Sequence, residues 1–343
     1  MNFGGQQVLV TGATGLVGAR LAECLAQQGA QVRALVRSSA KAEALTQRFA
    51  ELPITPYLGD LADLPALERA AAGCQIVFHC AAWVSDRGSR EDFYRANVLG
   101  TENILRACRS VQRFIHTSTV GVYGLQPQDG TNETFPFNTS NNLYCETKIA
   151  SENLVMQAVT QQGFPAVIVR PGSVYGPHSA AWTLRPIKAL LANQLFLIGD
   201  GKGLCNYIYI DNLVTGMLQA ATQPNILGEA FILTEGRAAT WQEFFGYYNQ
   251  MLGRPPLKSL PLPIAYLVAT GMEIAEKFTG KKATLSRSAV GFLTRRATFS
   301  IKKAQQMLGF SPQISLVEGM QHTENWLRSA GIIPPRLGQS SKT

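Results

Sequence analysis

Apolar residues recur in two rhythms between Gln7 and Arg170. Short continuous apolar runs predict β-strands over Gln7–Val10, Gln31–Val36, Thr55–Leu58, Ile76–His79, Arg113–Ser118 and Ala166–Arg170. Helical spacing fills the gaps and predicts helices over Gly15–Gln28, Lys41–Leu52, Leu64–Ala72, Phe93–Val111 and Tyr144–Gln162. Leu16, Ala19, Leu21, Ala22 and Leu25 make the apolar stripe of the first helix. Gly29 closes it, because glycine accepts the left-handed conformation that ends a helix. Strand and helix alternating at this pitch predict a parallel sheet with helices on both faces, a doubly wound α/β fold.

Beyond Pro171 the rhythm loosens. Leu184–Asn193, Asn212–Ala221, Thr240–Leu252 and Leu316–Ala330 keep helical spacing, joined by loops rich in Gly and Pro. The chain is expected to divide into a sheet domain at 1–175, to which later strands contribute, a mainly substrate-binding lobe at 176–333, and a flexible polar tail at 334–343. One run, Leu260–Ala275, is crowded with apolar residues. A spanning helix needs about 20 of them; this run is shorter and contains Glu273. The preferred reading is a core helix or a wall of the substrate pocket, and the alternative is a helix lying at a membrane interface.

The composition suits a large core. With 343 residues, 46% hydrophobic and 16% charged, the chain is neither disordered nor collagen-like. Charge changes the picture more. The formal net charge is +8, and Lys281, Lys282, Arg287, Arg295, Arg296, Lys302 and Lys303 follow one another with no acid between them. Such a cluster is either a solvated face or a patch for an anionic surface or ligand. No nucleic-acid-binding motif accompanies it, so no nucleic acid partner is expected. The six cysteines form no CxxC pair and read as reduced thiols; no metal site is expected. Met1–Gln7 lacks the regions of a signal peptide. The expected location is cytoplasmic, with peripheral membrane contact if the apolar run is interfacial.

The stretch Thr11 to Gly18 (TGATGLVG) lies between the first strand and the first helix. There, backbone N–H groups at a helix N-terminus can meet a dinucleotide pyrophosphate. Gly12 allows the sharp turn, Gly15 the close approach of phosphate, and Gly18 tight helix–strand packing; Thr14, Leu16 and Val17 complete the candidate loop. The end of the second strand chooses the cofactor. An NAD site places a carboxylate there for the ribose 2′-OH. Here Arg37, Ser38 and Ser39 follow Val36, and Arg37 suits a 2′-phosphate, which favours NADP over NAD. After the third strand, Asp60 is a candidate acceptor for the adenine amino group, with Leu61 beside it, or else a cap for the next helix.

Tyr144 and Lys148 stand four residues apart, on one face of a predicted helix. A free tyrosine titrates near pH ~10. A neighbouring ammonium favours the phenolate and makes Tyr144 a credible general acid/base. Lys148 is also placed to hold the nicotinamide ribose. The cluster from His116 to Thr119 follows a strand at the carboxyl edge of the sheet, where ligands bind. A hydroxyl there can hold the substrate oxygen. His116 reads as packed in the strand, not as catalytic.

Four stretches in this order, TGATGLVG, Asn97-Val-Leu-Gly-Thr101, Thr119…Tyr144-x-x-x-Lys148 and Arg170-Pro-Gly-Ser-Val-Tyr-Gly-Pro177, together resemble the extended short-chain dehydrogenase/reductase superfamily, the NAD-dependent epimerase/dehydratase family. Tyr209-Ile-Asp-Asn212 and Lys303-Ala304…Leu308-Gly-Phe310 carry the likeness over nearly the whole chain. The resemblance implies a Rossmann domain with a smaller C-terminal substrate lobe. It implies Tyr144 as acid/base, Lys148 lowering its pKa, Thr119 as the catalytic hydroxyl, and Asn97 as the asparagine of the N-V-x-G-T stretch. It also implies that Ala81 and Ala82 line the cofactor and that Pro171, Gly172, Ser173 and Val174 meet the nicotinamide. Homodimers in this family often use the two long helices, here Phe93–Val111 and Tyr144–Gln162.

Two departures narrow the choice. Val120 and Gly121 stand where nucleotide-sugar 4,6-dehydratases carry Asp-Glu. Cys205 stands where nucleotide-sugar epimerases place an arginine for the diphosphate, although Arg185, Lys188 or Arg295 could substitute. The remaining likeness is to the 3β-hydroxysteroid dehydrogenase and dihydroflavonol reductase branches. It implies an NADP-dependent oxidoreductase that interconverts a ketone and a secondary alcohol on an apolar small molecule, lipid-like, isoprenoid/steroid-like or polycyclic. The alternatives are a nucleotide-sugar epimerase using the same residues and a non-catalytic NADP-binding protein. The intact Thr119, Tyr144 and Lys148 set argues against the second.

Overall fold

The computed structural model describes residues 2–85, 88–279 and 284–335. Lys281, Lys282 and the expected tail beyond 335 lie outside the described residues. Strands β1 (Gln7–Thr11), β2 (Gln31–Val36), β3 (Ile54–Leu58), β4 (Ile76–His79), β5 (Arg113–Thr117), β6 (Ala166–Pro171) and β7 (Ala230–Leu233) form one sheet in the order β7-β6-β5-β4-β1-β2-β3. Every pairing in it is parallel, with Val8 of β1 opposite Val32 of β2 on one side and Ile76 of β4 on the other. Strand order therefore reverses between β1 and β4, and the crevice outside their carboxyl ends is where such sheets bind ligands.

Helices α1 (Leu16–Gln27), α2 (Ser39–Arg48), α3 (Leu64–Ala71), α4 (Arg90–Tyr94), α5 (Gly100–Ala107) and α6 (Leu143–Gln162) cover the two faces. One apolar core joins α1 and the later helices to the sheet, and a second joins α3, α5 and α6 to it. The predicted helix over Phe93–Val111 is interrupted. Between α4 and α5 the chain makes a wide π-type turn at Arg95–Leu99. Asn97 in that turn is buried, and it accepts from the backbone N of Trp83 at 2.6 Å and donates to Thr147 Oγ1 at 3.0 Å. The inserted residue turns a side chain inward, which is a common use of such turns.

The remaining helices are α7 (Arg185–Leu191), α8 (Ile210–Thr222), α9 (Trp241–Met251), α10 (Leu262–Thr279), α11 (Arg287–Thr294), α12 (Lys302–Leu308) and α13 (Leu316–Ser329). Two short strand pairs outside the main sheet tie the later segments together: Ser173–Tyr175, just after β6, with Tyr207–Tyr209, and Leu204–Cys205 with Ala239–Thr240.

One expectation fails here. The apolar run at Leu260–Ala275 is not core. It enters α10, of which only Ala265 and Ala269 are buried, against Ile198 and Val290. Leu262, Ile264, Tyr266, Leu267, Met272, Ile274 and Phe278 are exposed, Phe278 to 87%. Apolar content alone does not separate a buried run from an exposed one. Among the described members of the basic cluster, three are ion-paired and one is buried. Arg287 pairs with Glu273 at 2.7 Å, Arg296 with Asp200 at 2.5 Å and Lys303 with Glu229 at 2.6 Å, while Arg295 is buried. No helix among the described residues is long and apolar enough to cross a membrane.

Candidate active site

The glycine loop leaves β1 and enters α1 at the strand-order reversal. Gly12 sits at φ 70°, and a Cβ there would come within 2.8 Å of the Ala81 backbone N. A Cβ on Gly18 would lie 2.4 Å from the Gly12 carbonyl oxygen. These two glycines are required by the protein's own packing. Gly15 is different: its φ is −88°, a Cβ there would meet only the Gly12 carbonyl oxygen, at 3.3 Å, and the residue is exposed. It stands at the N-cap of α1 with no side-chain cap, beside exposed Thr14 and half-buried Leu16 and Val17. The first N–H groups of α1 thus lack a side-chain partner at the cap, which suits an anion.

Around this loop the other candidate cofactor residues converge unequally. Arg37 is exposed at the end of β2, and Ser38 is used as the α2 cap, accepting from the Lys41 backbone N at 3.4 Å. Asp60 accepts from the Ala62 backbone N at 3.0 Å, and Asp63, not Asp60, caps α3. Leu61 packs under α5, where a Cβ on Gly100 would come within 2.8 Å of it. Ala81 and Ala82 follow β4, and the Ala81 N donates to Thr11 Oγ1 at 3.2 Å. Pro171 ends β6, and Gly172 is needed because a Cβ there would lie 2.2 Å from the Asn206 carbonyl oxygen. Ser173 is buried and Val174 half-buried.

Thr119 and Tyr144 are brought together by two loops that bond to each other. Thr119 caps a short 3-10 turn, Val120–Tyr123, its hydroxyl accepting from the Gly121 N at 3.0 Å. The loop before α6 then bonds back to that turn: Asn138 N donates to the Val122 carbonyl at 2.8 Å, and Leu125 N donates to Ser140 Oγ at 2.9 Å. Ser140 and Asn141 hold left-handed backbones, φ 47° and 56°, before Asn142 caps α6. Local strain of this kind persists only where surrounding contacts hold it. The Tyr144 phenol is raised well above its ordinary value, chiefly by burial, with Cys145 adding and the Thr119 hydroxyl opposing.

Lys148 does not turn to that phenol. Its amine, 1% exposed, meets His116 Nε2 at 3.3 Å. Burial pushes it down to about 8, with Glu152 and Cys80 acting the other way. His116 also meets Ser151 Oγ at 3.2 Å, and its ring lies 5.5 Å from that of His79. His79 bridges Thr11 Oγ1 at 2.8 Å and Thr101 Oγ1 at 3.2 Å. Burial first and Lys148 second push His79 down to about 3 and His116 well below its usual range. Both rings are therefore neutral, and His116 can accept from the ammonium. One turn beyond Lys148, Glu152 takes the Arg170 guanidinium, Nε to Oε1 at 3.0 Å and Nη2 to Oε2 at 2.5 Å; Arg170 Nη1 also donates to the Tyr123 hydroxyl at 2.6 Å.

His116 is packed in its strand, as expected, yet it touches Lys148, which sequence reasoning missed. His79, Ser151, Glu152 and Arg170 were missed as well. Only Glu152 carried a local signal, its helical spacing of four from Lys148. Asn97 reaches Thr147 and the Trp83 backbone but has no hydrogen bond to Tyr144 or Thr119.

The profile of the NAD dependent epimerase/dehydratase family matches residues 8–232. A 4-hydroxy-2-methyl-3-oxo-4-farnesyl-3,4-dihydroquinoline-1-oxide ketoreductase from Stigmatella aurantiaca is 32% identical over 333 residues, 95% of this chain and 96% of that protein. The 3beta-hydroxysteroid-dehydrogenase/decarboxylase isoform 1 of Arabidopsis thaliana is 30% identical over 283 residues, 77% of this chain and 64% of that protein. Among solved structures, the UDP-glucuronic acid 4-epimerase of Bacillus cereus in complex with NAD matches with a TM-score of 0.76 over 95% of this chain and 99% of its own, at 22% identity, a likeness of fold alone. The chain thus belongs to the NAD dependent epimerase/dehydratase family, and is an NAD(P)-dependent enzyme of the extended short-chain dehydrogenase/reductase type.

Proposed function

We propose that this enzyme interconverts a ketone and a secondary alcohol on a lipid-like substrate, with NADP as its cofactor. The observation that carries the reading is the pair Thr119 and Tyr144. The Thr119 oxygen accepts from Gly121 N and its hydroxyl meets the Tyr144 phenol, so a substrate oxygen entering between the two takes a hydrogen bond from both. The Tyr144 phenol is held protonated by burial. It gives its proton to the oxygen of the alcohol being formed and takes one back in the reverse direction. Lys148, one helical turn from Tyr144 and held against His116, keeps a buried positive charge near the reacting end of the helix, which steadies negative charge as it develops. NADP, when bound, supplies or takes up the hydride. Gly15 and the open start of α1 suit its pyrophosphate, and exposed Arg37, with no carboxylate at the end of β2, suits a 2′-phosphate.

The substrate lobe gives a second part to the reading: α10 rests on an anionic bilayer. Six of its seven large exposed apolar side chains lie between exposed Lys258 and Lys277, and Phe278 follows directly. Apolar residues with flanking cations match an interfacial helix. An enzyme resting there would receive a lipid-like substrate without its crossing water.

Replacing Tyr144 with Phe is expected to lower kcat on a substrate ketone by on the order of 10²-fold or more while the NADPH dissociation constant stays unchanged; full turnover in the variant removes Tyr144 from the reaction. Arg37→Ala is expected to weaken NADPH binding by roughly 1.5–3 kcal/mol and to leave NADH binding unchanged. Fluorescence titration with both cofactors checks this, and tighter NADH than NADPH binding in the unaltered protein contradicts the cofactor assignment. Co-sedimentation with phosphatidylserine-containing vesicles should be lost in the double variant L267E/F278E; a protein that stays in the supernatant even at low salt has no bilayer contact.

A further inference from the structure

Arg295 is 2% exposed and stands at the C-terminal end of α11. Among the described residues its side chain has no ion pair and no hydrogen bond, and its Nε is fully buried without an acceptor. The other buried arginine, Arg170, has Glu152. The guanidinium of Arg295 lies over the rings of Phe292, at 4.8 Å, and Phe299, at 5.4 Å. The neighbouring Cys205 thiol is kept neutral by its own burial and supplies no counter-charge, and burial drives the arginine itself down to about 10. Aromatic faces orient a guanidinium and attract it weakly; they do not replace an anion. A buried cation of this kind lacks the counter-charge that such groups ordinarily have.

Its position says where the missing anion comes from. Phe299 packs at a tilt, ring centroids 5.8 Å apart, on Tyr123, which ends the turn that Thr119 caps. On the other side, the Cys205 thiol interacts with the Ser173 hydroxyl, just after β6. Arg295 therefore packs against side chains that touch both segments leaving the carboxyl ends of β5 and β6, the same edge that presents Thr119. We infer that Arg295 holds a carboxylate of the substrate, so that the natural substrate is a hydroxy or oxo acid whose carboxylate lies near the reacting carbon. This deepens the ketone–alcohol reading and rests on it for the reacting carbon only. A carboxylate fits better than a diphosphate. One guanidinium with aromatic walls, Phe292 against Trp182 and Trp241, can pair with a single charge, whereas a diphosphate brings at least two.

Calorimetric titration of the NADP+-loaded protein with 3-hydroxydodecanoate, its methyl ester and uridine diphosphate tests this without turnover. The acid is expected to bind roughly 10- to 100-fold tighter than the ester. Arg295→Met should abolish that preference and Arg295→Lys keep part of it, with NADP+ affinity unchanged in both. If the variants do not fold, the acid-to-ester ratio in the unaltered protein decides alone. Equal binding of acid and ester, including binding of neither, overturns the inference, as does uridine diphosphate binding tighter than the acid. A protein that prefers the acid but never transfers hydride would contradict the oxidoreductase reading and leave the carboxylate site standing.

Discussion

A lysine amine buried in the crevice of the sheet sets the layout around it. Lys148 is 1% exposed, and a cation in that position needs acceptors that are not themselves charged positive. The fold supplies them from three elements. His116 on β5 accepts from the amine, His79 on β4 stacks beside it, and Glu152, one turn along α6, adds a carboxylate whose charge is shared with Arg170. The same contacts bolt α6 to the strands, so the helix that carries Tyr144 cannot drift from the loop that carries Thr119. Binding geometry and electrostatics are thus one construction.

That construction explains why the phenol is protonated. A lysine facing Tyr144 would favour the phenolate; a lysine turned to His116 does not, and burial then dominates. Such a tyrosine is prepared to give a proton. The positive charge of an oxidised nicotinamide would act in the opposite sense, so the two directions of the reaction differ in the charge that surrounds the phenol.

The strands and helices, the parallel doubly wound fold class and the glycine loop were legible in the sequence because each leaves its mark in local periodicity or in a short motif. The spacing of Tyr144 and Lys148, and the hydroxyls after β5, were legible for the same reason. Other features depend on contacts between distant segments, and sequence periodicity does not encode them. His79 and Lys148 meet only through the sheet. Asn97 could be placed in a motif, but not in a π-type turn that aims it at Trp83 and Thr147. Arg295 looked like one more residue in a basic run, and only packing between Phe292 and Phe299 distinguishes it. The apolar run of α10 misled in the opposite direction, because hydrophobicity predicts burial only when something covers the residues.

Lys148 is a buried charge that the fold holds at a cost to stability. Its folded-state value, about 8 against the ordinary 10.5, means the cost is fully present below about pH 8 and disappears as pH rises toward 10.5. Urea unfolding of the cofactor-free protein and of Lys148→Met, from about pH 7 to about pH 10, measures this directly. The account predicts that the methionine variant is more stable near pH 7 by about 1–3 kcal/mol, with the gap closing at the alkaline end. A variant less stable than the unaltered protein at neutral pH, or a gap that does not change with pH, would contradict it.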